Sequence, residues 1–306
     1  MIAFRRIVTA IPTLLSLSFF VFLLLELAPG DVTSTILDQS ASEETREQVR
    51  YELRADRPLL LRYTDYIGNL LHGDMGHSIR TGRPVTQEIS IRLPYTLALI
   101  GASVVAGTLS GTILGTVAAF KHNTIWDSLV RVVISIGMSV PTFWLALLLV
   151  SLFALRLHWL PVFGAEGFKH LILPALCTSF ALVPGVARMT RASLLEVFGS
   201  DYITVARSKG LSNIRILSRH ISPVAVIPVV TYVGFRVVHL ITSVVVIEII
   251  FNWPGLGGLA VKAAFDRDPL LLQGATLTIA FLTFIILFAV DLIVVYLDPR
   301  IVHKAV

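Results

Sequence analysis

Long apolar runs separated by polar connections set the pattern of the chain. A helix needs roughly 20 mostly apolar residues to cross a bilayer. Six stretches qualify: about Ile7 to Ala28, Tyr95 to Phe120, Leu129 to Leu155, His170 to Ala187, Pro223 to Ile250 and Gln273 to Leu297. The first follows Arg5-Arg6 as a secretory signal would, yet no small-residue cleavage site comes soon after it. It reads as an uncleaved first span. The second is rich in small residues, with Gly101, Gly107, Gly111 and Gly115 mostly four apart. The Gly107-x-x-x-Gly111-x-x-x-Gly115 spacing lets a neighbouring helix approach closely. The third carries Pro141 within it. The pattern predicts an all-α integral membrane protein with six transmembrane helices.

Two polar connections are long enough to have structure of their own. In Pro29 to Arg92, Ser42 can cap a helix whose first turn holds Glu43 and Glu44, beside the positive helix end. Val49 and Leu53 share a face of it, and Arg57-Pro58 breaks it. A second short helix fits Leu60 to Leu71. In Arg188 to His220, Ser200-Asp201 can cap a short helix from Tyr202 to Lys209, with Gly210 placed as at a helix C-terminus. Ser212 or Asn213 can start another, before Pro223 opens the fifth span. Two short helices around a glycine make a rigid docking knob. Asn252-Trp253-Pro254-Gly255-Leu256-Gly257-Gly258 is too rich in Gly and Pro to remain helical. Such backbone at membrane depth has to be buried in protein or line a cavity.

Composition agrees and excludes alternatives. Of 306 residues, 55% are hydrophobic and 15% charged, against about 25% charged in soluble domains. The one cysteine, Cys177, rules out an internal disulfide or a Cys-rich metal site. The net charge of +5 could suggest nucleic acid, so the positions of the charges decide. Arg5 and Arg6, Lys121 and Arg131, and Arg300 and Lys304 fall on one side of a six-span chain. Arg188, Arg191, Arg207, Lys209, Arg215 and Arg219 join them, against only Glu196 and Asp201. The excess of Lys and Arg makes that side cytoplasmic, with both termini there. The expected organisation is 1–28 as N-terminus and first span, 29–92 as a folded external segment, and 93–306 as a core with a cytoplasmic loop at 188–222.

At this loop a resemblance becomes specific. Asp201-Tyr202-Ile203-Thr204-Val205-Ala206-Arg207-Ser208-Lys209-Gly210-Leu211-Ser212 resembles the coupling loop of ABC importer permeases, in the oligopeptide/dipeptide/nickel branch. Of the general Glu-Ala-Ala form, only Ala206, Gly210 and Pro223 match; the loss of Glu is usual in this branch, whose own form fits nearly throughout. Leu27-Ala28-Pro29-Gly30-Asp31, Gly73-Asp74-Met75-Gly76-x-Ser78, Arg83-Pro84-Val85 and Pro174-Ala175 are similar to the same branch. So are Arg188-Met189-Thr190-Arg191-Ala192-Ser193, Phe251-Asn252-Trp253-Pro254-Gly255-Leu256-Gly257 and Asp298-Pro299-Arg300. The likeness covers essentially the whole chain. One departure is Leu53-Arg54-Ala55-Asp56-Arg57-Pro58, where the family has Leu-Gly-Leu-Asp-x-Pro.

The resemblance implies the type I importer permease fold in a bacterial inner membrane. It implies half of a translocation pathway for small peptides, completed by a second, homologous permease chain, two ATPase subunits and an external substrate-binding protein. Nickel, a metal chelate, glutathione or another small solute is the alternative cargo. It gives Asp201, Tyr202, Ala206, Arg207, Lys209, Gly210 and Leu211 a role in coupling to the ATPase.

The remaining chemistry points the same way. No lysine follows a glycine, so there is no G-x-x-x-x-G-K-[ST] phosphate cradle, and neither H-E-x-x-H nor G-x-S-x-G occurs. The chain is expected to be no enzyme and to hold no cofactor, with ATP and Mg bound by partner subunits. Ionisable residues inside spans mark pathways or structural pairings. Tyr232, Arg236 and His239 share a face of the fifth span. Either the translocation path or a neighbouring helix lies against that face. One histidine makes no metal site. Glu248 near the end of that span, with Trp253, Pro254 and Gly255 after it, is a candidate gate or an interfacial position. Glu26 and Asp291 sit toward span ends. An intramembrane enzyme would need a catalytic pair in the spans, and a sensor would have no ATPase partner.

Overall fold

The computed structural model describes residues 2–26, 58–211, 213–216, 219 and 222–297. The helix expected after Ser42, the Leu27–Asp31 and Asp298–Arg300 motifs, Ser212 and His220 lie outside the described residues. Every element among the described residues is helical apart from one isolated bridge between His77 and Pro84.

The chain begins with α1, Ile2–Glu26, and resumes with α2, Leu59–Leu71, which starts after Pro58 much as the sequence predicts. Next comes α3, Val85–Phe120. It starts ten residues before the predicted Tyr95, because Val85, Glu88 and Ile89 turn inward and give that extension a buried face. At about 1.5 Å per residue its 36 residues reach well beyond a hydrocarbon core of about 30 Å.

The third and fourth spans are not straight helices. Val140 is extended (φ −85°, ψ 121°) and Pro141 follows, so α4, Ile125–Ser139, ends there. A proline lacks the N–H for the ladder and pushes its predecessor out of the helical region. The chain resumes as α5, Thr142–Leu149, and continues as a π-helical stretch to Arg156; the two halves are bent by 105°. The fourth span divides into α6, Phe168–Phe180, and α7, Val183–Phe198, bent by 55° where Pro184 removes another N–H. Because α7 continues to Phe198, Arg188 and Arg191 are helical, and the loop proper starts eleven residues later than 188. It holds α8, Asp201–Ser208, and α9, Asn213–Ile216.

After it come α10, Ser222–Ile250, α11, Leu256–Phe265, and α12, Pro269–Leu297. Three helices, α3, α10 and α12, are long and apolar enough to cross a membrane, or five spans if each bent pair counts as one. Shorter apolar helices are Ile11–Leu24 within α1 and Leu256–Phe265, and the first stands where the sequence puts a span.

Two compact units stand out among the described residues. One takes in Ala3–Thr96 and Pro254–Phe284, the other Leu97–Trp253 and Ile285–Val306. In the first, Val85, Ile89, Leu256, Leu259, Ala263, Leu271 and Ala275 form the core. Its loop between α2 and α3 is pinned by Asp268, whose carboxylate accepts from the Ser78 hydroxyl at 2.5 Å and the Leu271 N–H at 3.1 Å. Arg80 Nε donates to the Asp266 carbonyl at 2.8 Å. Thus Gly73-Asp74-Met75-Gly76-x-Ser78 is fastened to the start of α12. Tyr63 of α2 stacks edge-on to Phe19 of α1 at 5.1 Å.

In the second unit the glycine spacing does what it predicts. A Cβ at Gly107 would lie 2.9 Å from the Leu182 Cβ, and one at Gly111 would lie 2.7 Å from the Val186 Cβ. One at Gly115 would collide with the Ala187 carbonyl. The α3 backbone thus meets the α6–α7 break and the start of α7 with no side chain of its own between. Gly101 shares the composition but meets nothing within 4 Å.

Candidate functional site

The loop helix α8 is built with two unlike faces. Ile203 and Ala206, three residues apart, point inward and are buried. They join Ala119 of α3, Leu194 and Val197 of α7, Ile216 of α9 and Ala225 of α10 in one apolar cluster. Phe198 meets Phe120 edge-on at 5.2 Å beside it. The outward face carries Tyr202 and Val205, 43% and 53% exposed, with exposed Asp201, Ser208 and Lys209 around them.

The C-terminus of α8 is closed as the glycine predicts. Gly210 has φ +73°, and the Leu211 N–H donates to the Ala206 carbonyl at 3.3 Å. The Lys209 N–H donates to the Val205 carbonyl at 3.1 Å. Leu211 then packs on the buried cluster, the apolar contact that accompanies such a cap. A Cβ at Gly210 would meet nothing within 4 Å, so its constraint is the backbone angle and not space. The N-terminus departs from expectation. The Ser200 hydroxyl donates backward to the Val197 carbonyl at 2.6 Å, closing α7 instead of capping α8. Asp201 is the first residue of α8, where its charge suits the helix dipole.

Sequence reasoning missed the brace behind this helix. Asp127, in the first turn of α4, is wholly buried and receives Arg191 of α7 two-pronged: Nε to Oδ1 at 2.7 Å and Nη2 to Oδ2 at 2.8 Å. The Asn123 N–H donates to Oδ2 at 3.2 Å, His122 Nδ1 lies 3.4 Å from it, and Arg131 Nε lies 3.8 Å from Oδ1. Arg191 thus meets both oxygens of the Asp127 carboxylate, with the Asn123 N–H beside them. Three and six residues beyond Arg191, Leu194 and Val197 seat α8. One helix therefore carries the α8 socket and its anchor on α4. The signal was Arg191 inside the Arg188–Ser193 motif, but its partner lies 64 positions away.

The predicted face of the fifth span divides. Tyr232 and Arg236 are half-buried and both address the α6–α7 break. The Tyr232 hydroxyl end lies against Gly185, where any Cβ would collide with it, and Arg236 Nη2 donates to the Ala181 carbonyl at 3.3 Å. A helix broken by Pro184 leaves carbonyls without their usual partner, and the guanidinium supplies one. His239 is exposed, its ring 5.8 Å from that of Phe235. Glu248 is buried, and its backbone carbonyl accepts the Trp253 N–H at 2.8 Å. Asn252 takes φ +47° in that turn, closing α10 with a left-handed residue. Trp253 and Gly255 are buried and Pro254 half-buried, as backbone outside a helix at this depth requires. The break is shorter than expected: Leu256, Gly257 and Gly258 already belong to α11, whose Leu256 N–H is capped by the Thr96 hydroxyl oxygen at 2.8 Å. Among the described residues no group of three or more His, Cys, Asp or Glu is placed to hold a metal ion.

This arrangement has counterparts among known proteins. The family described as the binding-protein-dependent transport system inner membrane component matches residues 111–303. The N-terminal region described for the membrane component of such systems matches residues 1–100. A Brucella abortus (strain 2308) chain, provisionally named a peptide transport system permease protein, is 39% identical over 305 residues, 97% of each chain. The glutathione transport system permease protein GsiC of Escherichia coli (strain K12) is 37% identical over 300 residues, 98% of each chain. An inward-facing structure of the MetNI methionine ABC transporter aligns with a TM-score of 0.58 at 18% identity, over 69% of this chain and 96% of that one. A structure of an amino acid ABC transporter aligns with a TM-score of 0.52 at 16% identity, over 70% and 94%. The two structural likenesses speak for the fold.

Proposed function

Because the chain belongs to the family of binding-protein-dependent transport inner membrane components, the permease subunits of ABC importers, we propose that it imports small peptides and receives its ATPase on the outward face of α8. Family membership makes it an integral inner-membrane subunit and not an enzyme, served by ATPase and substrate-binding partners. It sets aside the sensor and intramembrane-enzyme readings. ATP and Mg are then bound by the ATPase chains, and this chain carries no cofactor.

One observation carries the docking reading. The inner face of α8 is buried in a cluster drawn from α3, α7 and α10, while Tyr202 and Val205 are left open. Force applied to such a helix moves the spans as a body instead of bending a loop. Asp201 and Lys209 surround that face, Ala206 and Leu211 seat it, and Gly210 shapes its end; Arg207 of the same helix joins them as a coupling residue. The test is a Tyr202→Ala/Val205→Ser double variant in the reconstituted transporter. Transport driven by ATP should fall while the permease still assembles in the membrane. Unchanged transport with an intact complex overturns the reading.

The peptide cargo is supported by the name of the Brucella relative; glutathione is the runner-up, on the name of the Escherichia relative. A nickel or metal chelate or another small solute remains the further alternative. Uptake of labelled dipeptide, oligopeptide, glutathione and nickel chelate into proteoliposomes ranks them. A second, homologous permease chain completes the path. The 29–92 segment lies outside, and both termini and the 188–222 region lie in the cytoplasm, which reporter fusions at each end would test. His239 is the member of the fifth-span face open to the path, with Tyr232 and Arg236 bracing the broken fourth span beside it. Glu248, Trp253, Pro254 and Gly255 form the rigid turn at the external gate.

A further inference from the structure

We propose that the unit containing α1 and α2 holds the acyl chain of a membrane phospholipid as a structural ligand, in a cavity between α1, α2, α3 and α12. The cavity measures about 630 Å³ and is walled by Leu14, Leu70, Ile89, Leu93, Leu277 and Phe281 among others. Four hydroxyl-bearing residues line it, and three of them turn back to their own helices: Ser18 donates to the Leu15 carbonyl, Ser90 to Gln87 and Thr278 to Gly274. The walls therefore offer little to a polar ligand. A peptide placed there would leave its N–H and C=O groups unsatisfied, at several kcal/mol each. Water needs two to four polar partners. A hydrocarbon chain needs no partner and fits both size and lining.

Position supplies the other half of the argument. Two walls, α3 and α12, belong to helices long and apolar enough to cross the membrane. The α2 wall differs. Leu60, Leu61 and Leu71 are 67%, 55% and 82% exposed, while the same helix carries Arg62, Asp65 and Asn69. A short helix with an open apolar face and a polar one lies in the membrane interface. The cavity thus runs from interfacial depth, where a headgroup sits, into the hydrocarbon layer. The lipid fills space that α1 and α2 leave against α3 and α12.

The assembled transporter would be placed in nanodiscs of phosphatidylethanolamine and phosphatidylglycerol, doped with a phosphatidylglycerol bearing a mid-chain diazirine. After irradiation, mass spectrometry should find adducts at Ile89, Leu93, Leu277 or Phe281. Labelling there should fall severalfold in Ser90→Phe, with Thr278→Leu as the milder filler, while labelling at Leu109, exposed on α3, stays unchanged. Absence of adducts at the four positions in the wild-type complex overturns the proposal. Labelling indifferent to both fillers does so too, as does a partner-chain segment cross-linked into the cavity through Phe281→Cys.

Discussion

Asp127 and Asp268 are both buried carboxylates that join distant stretches of chain, yet they are satisfied by opposite means. Asp127 keeps its charge by facing Arg191 two-pronged, with Arg131 and His122 at its edge. Asp268 is held by neutral donors, a serine hydroxyl and the backbone N–H groups of Arg80 and Leu271. The first ties two helices, α4 and α7, and stands directly behind the socket of α8. The second ties a loop to a helix start. A two-pronged guanidinium–carboxylate pair is a directional, stiff link between two helices. A turn that only has to keep its shape is served by hydrogen bonds. The cost of breaking each should differ accordingly.

Arg191→Ala gives the largest expected effect. It strands a buried carboxylate, a change worth about 3–5 kcal/mol, and should show as a large fall in thermal unfolding temperature of the detergent-solubilised complex. Asp127→Ala/Arg191→Ala should recover part of the loss, since no charge is left unpaired. A double variant as unstable as Arg191→Ala breaks the assignment.

Ser78→Ala comes next. It removes one neutral donor from Asp268, a loss of about 1–3 kcal/mol, read in the same unfolding assay. An effect as large as that of Arg191→Ala would erase the contrast between the two junctions.

Gly210→Ala should cost about 1 kcal/mol through its positive φ, and Gly210→Asn less, because Asn tolerates that region. Transport per ATP hydrolysed should follow that order if backbone shape is what matters. Equal loss in both variants would mean instead that the docking ATPase needs the space above Gly210. Arg131→Ala should do least: the side chain is half exposed and 3.8 Å from Asp127, a pair worth under about 1 kcal/mol.

The legible features are local ones. Gly107, Gly111 and Gly115 announced a close helix contact by their spacing, and Gly210 announced a helix end by following Lys209. Their limits are equally instructive. Gly101 fits the same compositional pattern and touches nothing, because a small residue permits an approach without supplying the neighbour. Ser200 looked like the cap of α8 but spends its hydroxyl on α7, since a serine between two helices can serve either. Pro141 sat visibly inside the third span, yet the 105° turn it makes depends on what the two halves pack against. Tyr232, Arg236 and His239 share one helix face in the sequence, and packing gives the first two to the broken fourth span and leaves the third open.

By itself the sequence determined the membrane class, most of the long helices, the short loop helix that ends at Gly210, and the family. Those follow from apolar run length, charge placement and short motifs, all read within a few turns of chain. The tertiary structure alone decided that Asp127 faces Arg191, that Thr96 caps α11, and that Ile203 and Ala206 turn inward so that Tyr202 and Val205 remain outside. Each of those pairings joins residues far apart in the chain. Burial makes each partner necessary, and only the packed helices determine which residue it is.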